Sequence, residues 1–68
     1  MKQYKPEEIK RFLISRGRQE THQKWSHCYL YNPETKKLTT IPMHSKDIKI
    51  GTLMAILRQT GLTKNDLE

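Results

Sequence analysis

The sequence predicts an α+β fold of order α-β-β-β-α, a three-stranded antiparallel sheet with two helices packed on one face. Three observations predict it: an apolar stripe at helical spacing near the start, an alternating aromatic run followed by a turn and a β-branched run, and a second helical stripe that ends at a glycine. Pro6 to Arg16 is the first helix. Pro6 suits a first helical position, Glu7 and Glu8 sit where the helix dipole favours negative charge, and Ile9, Phe12 and Leu13 form one stripe. Arg16 falls in the last turn and Gly17 supplies a left-handed cap.

Arg18 to Lys24 is polar throughout and has little strand propensity of its own. It reads as an edge strand because the hairpin that follows is unstable alone and needs a third strand. From His27 to Tyr31 the order H-C-Y-L-Y alternates, with Cys28 and Leu30 pointing one way and His27, Tyr29 and Tyr31 the other. Asn32 to Lys36 is a dense turn signal, and Lys37 to Ile41 is a β-branched strand that stops at Pro42, which cannot donate to a ladder. Met43 to Lys49 is a polar, basic connection. Ile50 to Thr60 then carries Ile50, Leu53, Ile56 and Leu57 on one helical face, with Gly51 and Thr52 marking its start. Gly61 fits the position after its end, and Leu62 packs back on the last turn. Thr63 to Glu68 forms one further short turn capped by Thr63.

With 68 residues and no internal repeat, the chain is one domain spanning residues 1–68. A domain this small buries only about 60% of its unfolded surface, so its stability is marginal unless something staples or binds it. A single Cys cannot form an internal disulfide, and no Cys/His spacing matches a structural zinc site. No metal or other cofactor is implied. The lone thiol suits a reducing compartment, and no apolar run is long enough for a signal peptide or a membrane-spanning helix, so the expected location is the cytoplasm. Thirteen Lys/Arg against seven Asp/Glu give a net charge of +6, which attracts polyanions. Nucleic acid and acidic proteins fit better than anionic lipid, because no segment joins a basic face to exposed large apolar residues. The same charge is also compatible with a merely solvated surface.

Lys24-Trp25-Ser26-His27-Cys28 gathers the only Trp, the only Cys and one of three His. Strand alternation turns Cys28 inward as small core filler and leaves His27 outward beside a basic loop. Together with Thr40-Ile41-Pro42-Met43-His44 and the run G-T-L-x-x-I-L-x-x-x-G-L-T from Gly51 to Thr63, Trp25-Ser26-His27 gives the chain its resemblance to the HicA-type toxins of toxin–antitoxin modules. The resemblance spans about Lys5 to Thr63. It implies a fold like a double-stranded RNA-binding domain, metal-independent endoribonuclease activity on messenger RNA (an mRNA interferase), and neutralisation by a HicB-type antitoxin. That antitoxin is expected to be acidic and to cover the His27 face; no membrane and no small-molecule cofactor is implied.

The family motif at the start of the second strand reads G-S-H, and its His is catalytic. Ser26 and His27 match its last two positions, whereas Trp25 replaces a Gly that would permit a positive φ or a close backbone approach. The resemblance therefore makes His27 the catalytic candidate. An imidazole titrates around pH 6.5 and can serve as base or acid in attack of a 2′-hydroxyl on the adjacent phosphorus, giving a 2′,3′-cyclic phosphate. His44 matches a family position too, and is either the partner for the second proton transfer or a loop residue that caps a turn or meets the antitoxin. Ser26 has no carboxylate placed to complete a triad, so it is read as a hydrogen-bonding or RNA-contacting residue. His22, on the polar first strand, is read as solvated.

Lys24, in the loop between the first two strands, and Lys46 and Lys49, before the last helix, are the candidate RNA-binding cations. Trp25 is either a platform for an RNA base, an anchor in the antitoxin interface, or packing on the domain's own edge. Two other classes compete with the enzyme: an RNA-binding module whose site Trp25 has spoiled, and an interaction protein whose ligand is the antitoxin.

Overall fold

The computed structural model describes residues 3–44 and 46–67. It contains α1 (Pro6–Ser15), β1 (Gln19–Lys24), β2 (His27–Asn32), β3 (Lys37–Pro42), α2 (Ile50–Thr60) and a short α3 (Lys64–Leu67). The strands form one antiparallel sheet in the order β1-β2-β3. The α+β architecture read from the sequence is the one observed.

Local chemistry sets the element ends. Pro6 opens α1, and the Glu8 carboxylate accepts the Lys5 backbone N–H at 2.9 Å. At its other end Gly17 takes φ +90° and donates to Ile14 O at 3.1 Å, while Arg18 N–H donates to Leu13 O at 3.1 Å. Those two bonds make a Schellman motif and satisfy two carbonyls the helix leaves open. Gly61 ends α2 in the same left-handed region at φ +74°. Thr63 and Asp66 cap α3 reciprocally: Thr63 N–H donates to Asp66 Oδ2 at 2.8 Å, and Asp66 N–H to Thr63 Oγ1 at 3.3 Å. The expected final turn is thus a helix over Lys64–Leu67, and Glu68, like Met1, Lys2 and Ser45, lies outside the described residues.

Both long helices cover one face of the sheet. Ile9 and Leu13 of α1, Cys28 and Leu30 of β2, Ile41 of β3, and Leu53, Ile56 and Leu57 of α2 form the buried core. The alternation in β2 falls as expected, with Cys28 and Leu30 fully covered. One expectation fails: Ile50 does not join the apolar face of α2 but stays 54% exposed. Ile48 takes its place, because its backbone N–H donates to Tyr4 O at 2.8 Å and folds the preceding segment into the core.

Arg18 ties the helix ends together. Its guanidinium donates to Thr60 O at 2.6 Å and to Arg16 O at 2.7 Å, placing a cation at the carbonyl ends of α1 and α2. The edge strand β1 is exposed along its length and interrupted by an irregularity between Glu20 and His22, which blunts it against pairing with another chain. The opposite face of the sheet carries no helix, and it holds the candidate site.

Candidate active site

The site begins at the loop between β1 and β2. Lys24 pairs with His27, so the loop is only Trp25 and Ser26. Trp25 takes φ +61° and Ser26 is not in the positive region, so the first position alone of this two-residue turn carries a positive φ. Such a turn has Gly at its first position because the twist of the strands demands a positive φ there. The sequence suggested that Trp could not easily supply this geometry. It does so here with the residue 86% exposed at the hairpin tip.

Register then aligns the strand ends. His27 lies between Lys24 of β1 and Pro42 of β3 in one row across the sheet. Lys24 is thus the last residue of β1, where the edge strand read over Arg18 to Lys24 ends, and not in the β1–β2 loop where its reading as an RNA-binding cation put it; the loop is too short to include it. Just beyond, Met43 N–H donates to Ser26 O at 2.6 Å, stitching the exit of β3 to the β1–β2 loop. The bond brings the next residue back over the sheet. His44 sets its ring edge-on to His27 with centroids 6.4 Å apart and an interplanar angle of 64°.

The structure therefore collects Lys24, Trp25, Ser26, His27 and His44 at one corner of the open face. Lys46 and Lys49 stand exposed on the connection that leads from His44 into α2. Ser26 joins through its backbone carbonyl, which holds the His44 segment in place. Sequence spacing could not supply that bond.

Below this corner the open face is aromatic. Tyr29 follows His27 two residues on, and His22 lies opposite it in register. Their rings stack, with centroids 4.4 Å apart and planes 16° from parallel. His22 is therefore not simply solvated. The irregularity at Thr21 shifts it onto the same face as Tyr29, and Thr21 Oγ1 lies 3.2 Å from its Nδ1. Tyr31 continues the row, facing Gln19 and Leu38.

Charges are sorted by face. Glu20, the sole acidic residue within the strands, turns toward the helices and pairs with Lys10 at 3.1 Å. That ion pair, followed by the Cys28 thiol, holds its carboxyl below the usual range. Burial first, and then the neighbouring Glu20, push the Cys28 thiol up to about 11. The sulfur donates to Glu20 Oε2 at 3.5 Å and is core filler, not a nucleophile. Among the described residues no three His, Cys, Asp or Glu side chains cluster as a metal site. No helix among them is long and apolar enough to cross a membrane.

Two imidazoles set edge-on to each other, with a lysine in the same row, can move two protons around one anionic group. Compared with known proteins, residues 6–62 match the model of a family described as HicA toxin of bacterial toxin–antitoxin. No match is found among curated proteins.

Proposed function

The chain belongs to the HicA toxin family of bacterial toxin–antitoxin systems, and from that premise we propose that it is a metal-independent endoribonuclease that cleaves messenger RNA at the His27 corner. The observation that carries this reading is the His27–His44 pair, 6.4 Å between ring centroids, with Lys24 directly across the strand from His27. A single phosphodiester can touch both rings.

One imidazole accepts the 2′-hydroxyl proton as that oxygen bonds to the adjacent phosphorus. The bond from phosphorus to the 5′ oxygen breaks, and the other imidazole, protonated, supplies the proton that the leaving oxygen takes up. The products are a 2′,3′-cyclic phosphate and a free 5′-hydroxyl, and the two rings end with their protonation exchanged. Lys24 stabilises the charge that develops on the non-bridging oxygens, and Lys46 and Lys49 extend the cationic path along the backbone. Ser26 positions the His44 segment, and Trp25 offers its exposed indole to a base at the mouth of the site.

A HicB-type antitoxin, acidic and seated over the His27 face, would neutralise the enzyme by occupying the same corner. The +6 charge of the toxin then serves both ligands, RNA and inhibitor.

The test incubates purified protein, with EDTA present, with an RNA strand and with the same strand carrying 2′-deoxy substitutions. Cleavage of the ribose strand alone, reduced about 10²- to 10⁴-fold by His27→Ala, is the expected result. Intact RNA under these conditions, with binding retained, would leave an RNA-binding module and sink the enzyme.

A further inference from the structure

We infer that the open face of the sheet, running from the His27 corner through Tyr29 to Tyr31, is a track for an unpaired RNA strand, with the tyrosine rings as base-stacking platforms. The inference deepens the ribonuclease reading, on which it rests, by giving the substrate a conformation and a path.

Spacing is the first support. His27, Tyr29 and Tyr31 alternate on one strand, so their Cα atoms follow at about 6.8 Å, twice the rise per nucleotide of a stacked strand. An extended, unstacked strand can lay one base against each ring; a duplex cannot, because its base faces are occupied by their neighbours. A sheet that presents aromatics from its middle strand is a recurrent way to bind single-stranded RNA.

Order and charge are the second and third. His22 already stacks on one face of Tyr29 at 4.4 Å, so that ring is fixed before a ligand arrives, and a base stacks on the pair's outer side, the other tyrosine face or the far face of the imidazole. The face carries Lys24, His22 and His27, with His44 at its corner, and no strand carboxylate, since Glu20 is turned to the helix side and held there by Lys10. Trp25 at the hairpin tip extends the row of rings past the His27 corner.

The probe is a labelled 2′-O-methyl oligoribonucleotide, which cannot be cut because its 2′ oxygen cannot attack. It is titrated with the protein alone and after annealing to its complement. Wild-type protein should bind the single strand about tenfold or more tighter than the duplex, the contribution of one or two stacked bases. Tyr31→Leu, its fold checked by thermal unfolding, should weaken single-strand binding about 5- to 100-fold, while Tyr31→Phe stays near wild type. Neither should change the salt slope, whereas Lys24→Gln should lower it by about one.

Equal affinity for duplex and single strand would overturn the track. So would a Tyr31→Leu variant that loses binding to an acidic antitoxin yet keeps its RNA affinity, which would make the face a protein interface. Full cleavage of ribose RNA by tyrosine variants of unchanged affinity refutes the track and leaves the ribonuclease. Tight single-strand binding with ribose RNA left intact refutes the ribonuclease and leaves the track.

Discussion

Replacing Trp25 by glycine and, in parallel, by alanine isolates the backbone cost of the β1–β2 turn. Trp25 holds φ +61° at the first position of a two-residue loop. An L-residue in the left-handed region costs about 1–2 kcal/mol, and glycine avoids this. Glycine in turn costs about 0.5–1 kcal/mol through its greater freedom in the unfolded chain. Both variants lose the same indole, so packing cancels between them. The glycine variant should therefore be more stable than the alanine variant by about 0.5–1 kcal/mol, the reverse of the usual order in an ordered element. In a domain of this size that difference is about 2–8 °C in Tm.

The indole itself contributes little. With 86% of the residue exposed, folding covers on the order of 35 Å² of it, worth at most about 0.9 kcal/mol. Gain and loss nearly cancel, so wild type and the glycine variant should lie within about 1 kcal/mol of each other. Thermal and urea unfolding of the three proteins measure both differences. An alanine variant as stable as glycine would show that the turn imposes no positive-φ penalty. A glycine variant several kcal/mol below wild type would show that the indole is packed. If both differences come out as expected, stability does not account for the tryptophan, and its exposed ring is left to ligand binding.

Other consequences follow from the site and the core. His27→Ala and His44→Ala should each slow cleavage about 10²- to 10⁴-fold. A substrate with sulfur at the 5′ bridging position, whose leaving group needs no proton, should restore the variant that lost the acid and not the one that lost the base; identical responses would refute the division of roles. Leu30→Ala removes a fully buried side chain at the centre of the sheet and should cost about 2–5 kcal/mol. A domain this small holds about 3–5 kcal/mol in all, so the variant should lack a cooperative unfolding transition at room temperature.

Lys10 and the Cys28 thiol depress the Glu20 carboxyl, and Thr63 depresses that of Asp66. Their stabilisation is present above the unfolded carboxylate range and is lost as pH falls through the lowered folded values. Urea midpoints should therefore drop below about pH 4, and less steeply in Glu20→Gln. Cys28, buried with its thiol raised to about 11, should resist alkylation at pH 8 until denaturant is added; fast labelling of the folded protein would contradict its place in the core.

The sequence determined the elements, because each rests on neighbours along the chain. Pro6 and Gly17 bracket α1, the period-two pattern of β2 sends Cys28 inward and His27 outward, and Gly61 stops α2. These are short-range effects of backbone freedom and side-chain spacing, and they gave the α+β order. The same pattern, joined to the family resemblance, singled out His27.

Only the tertiary structure decided what stands beside it. The pairing of His27 with His44 depends on the bond from Met43 N–H to Ser26 O, which joins two loops. The stacking of His22 on Tyr29 depends on an irregularity in β1 that polar residues do not announce. Ile48 displaces Ile50 from the core through a bond to Tyr4. Each of these is a contact between segments brought together by strand register and chain closure, and register follows from burying one whole face of the sheet at once.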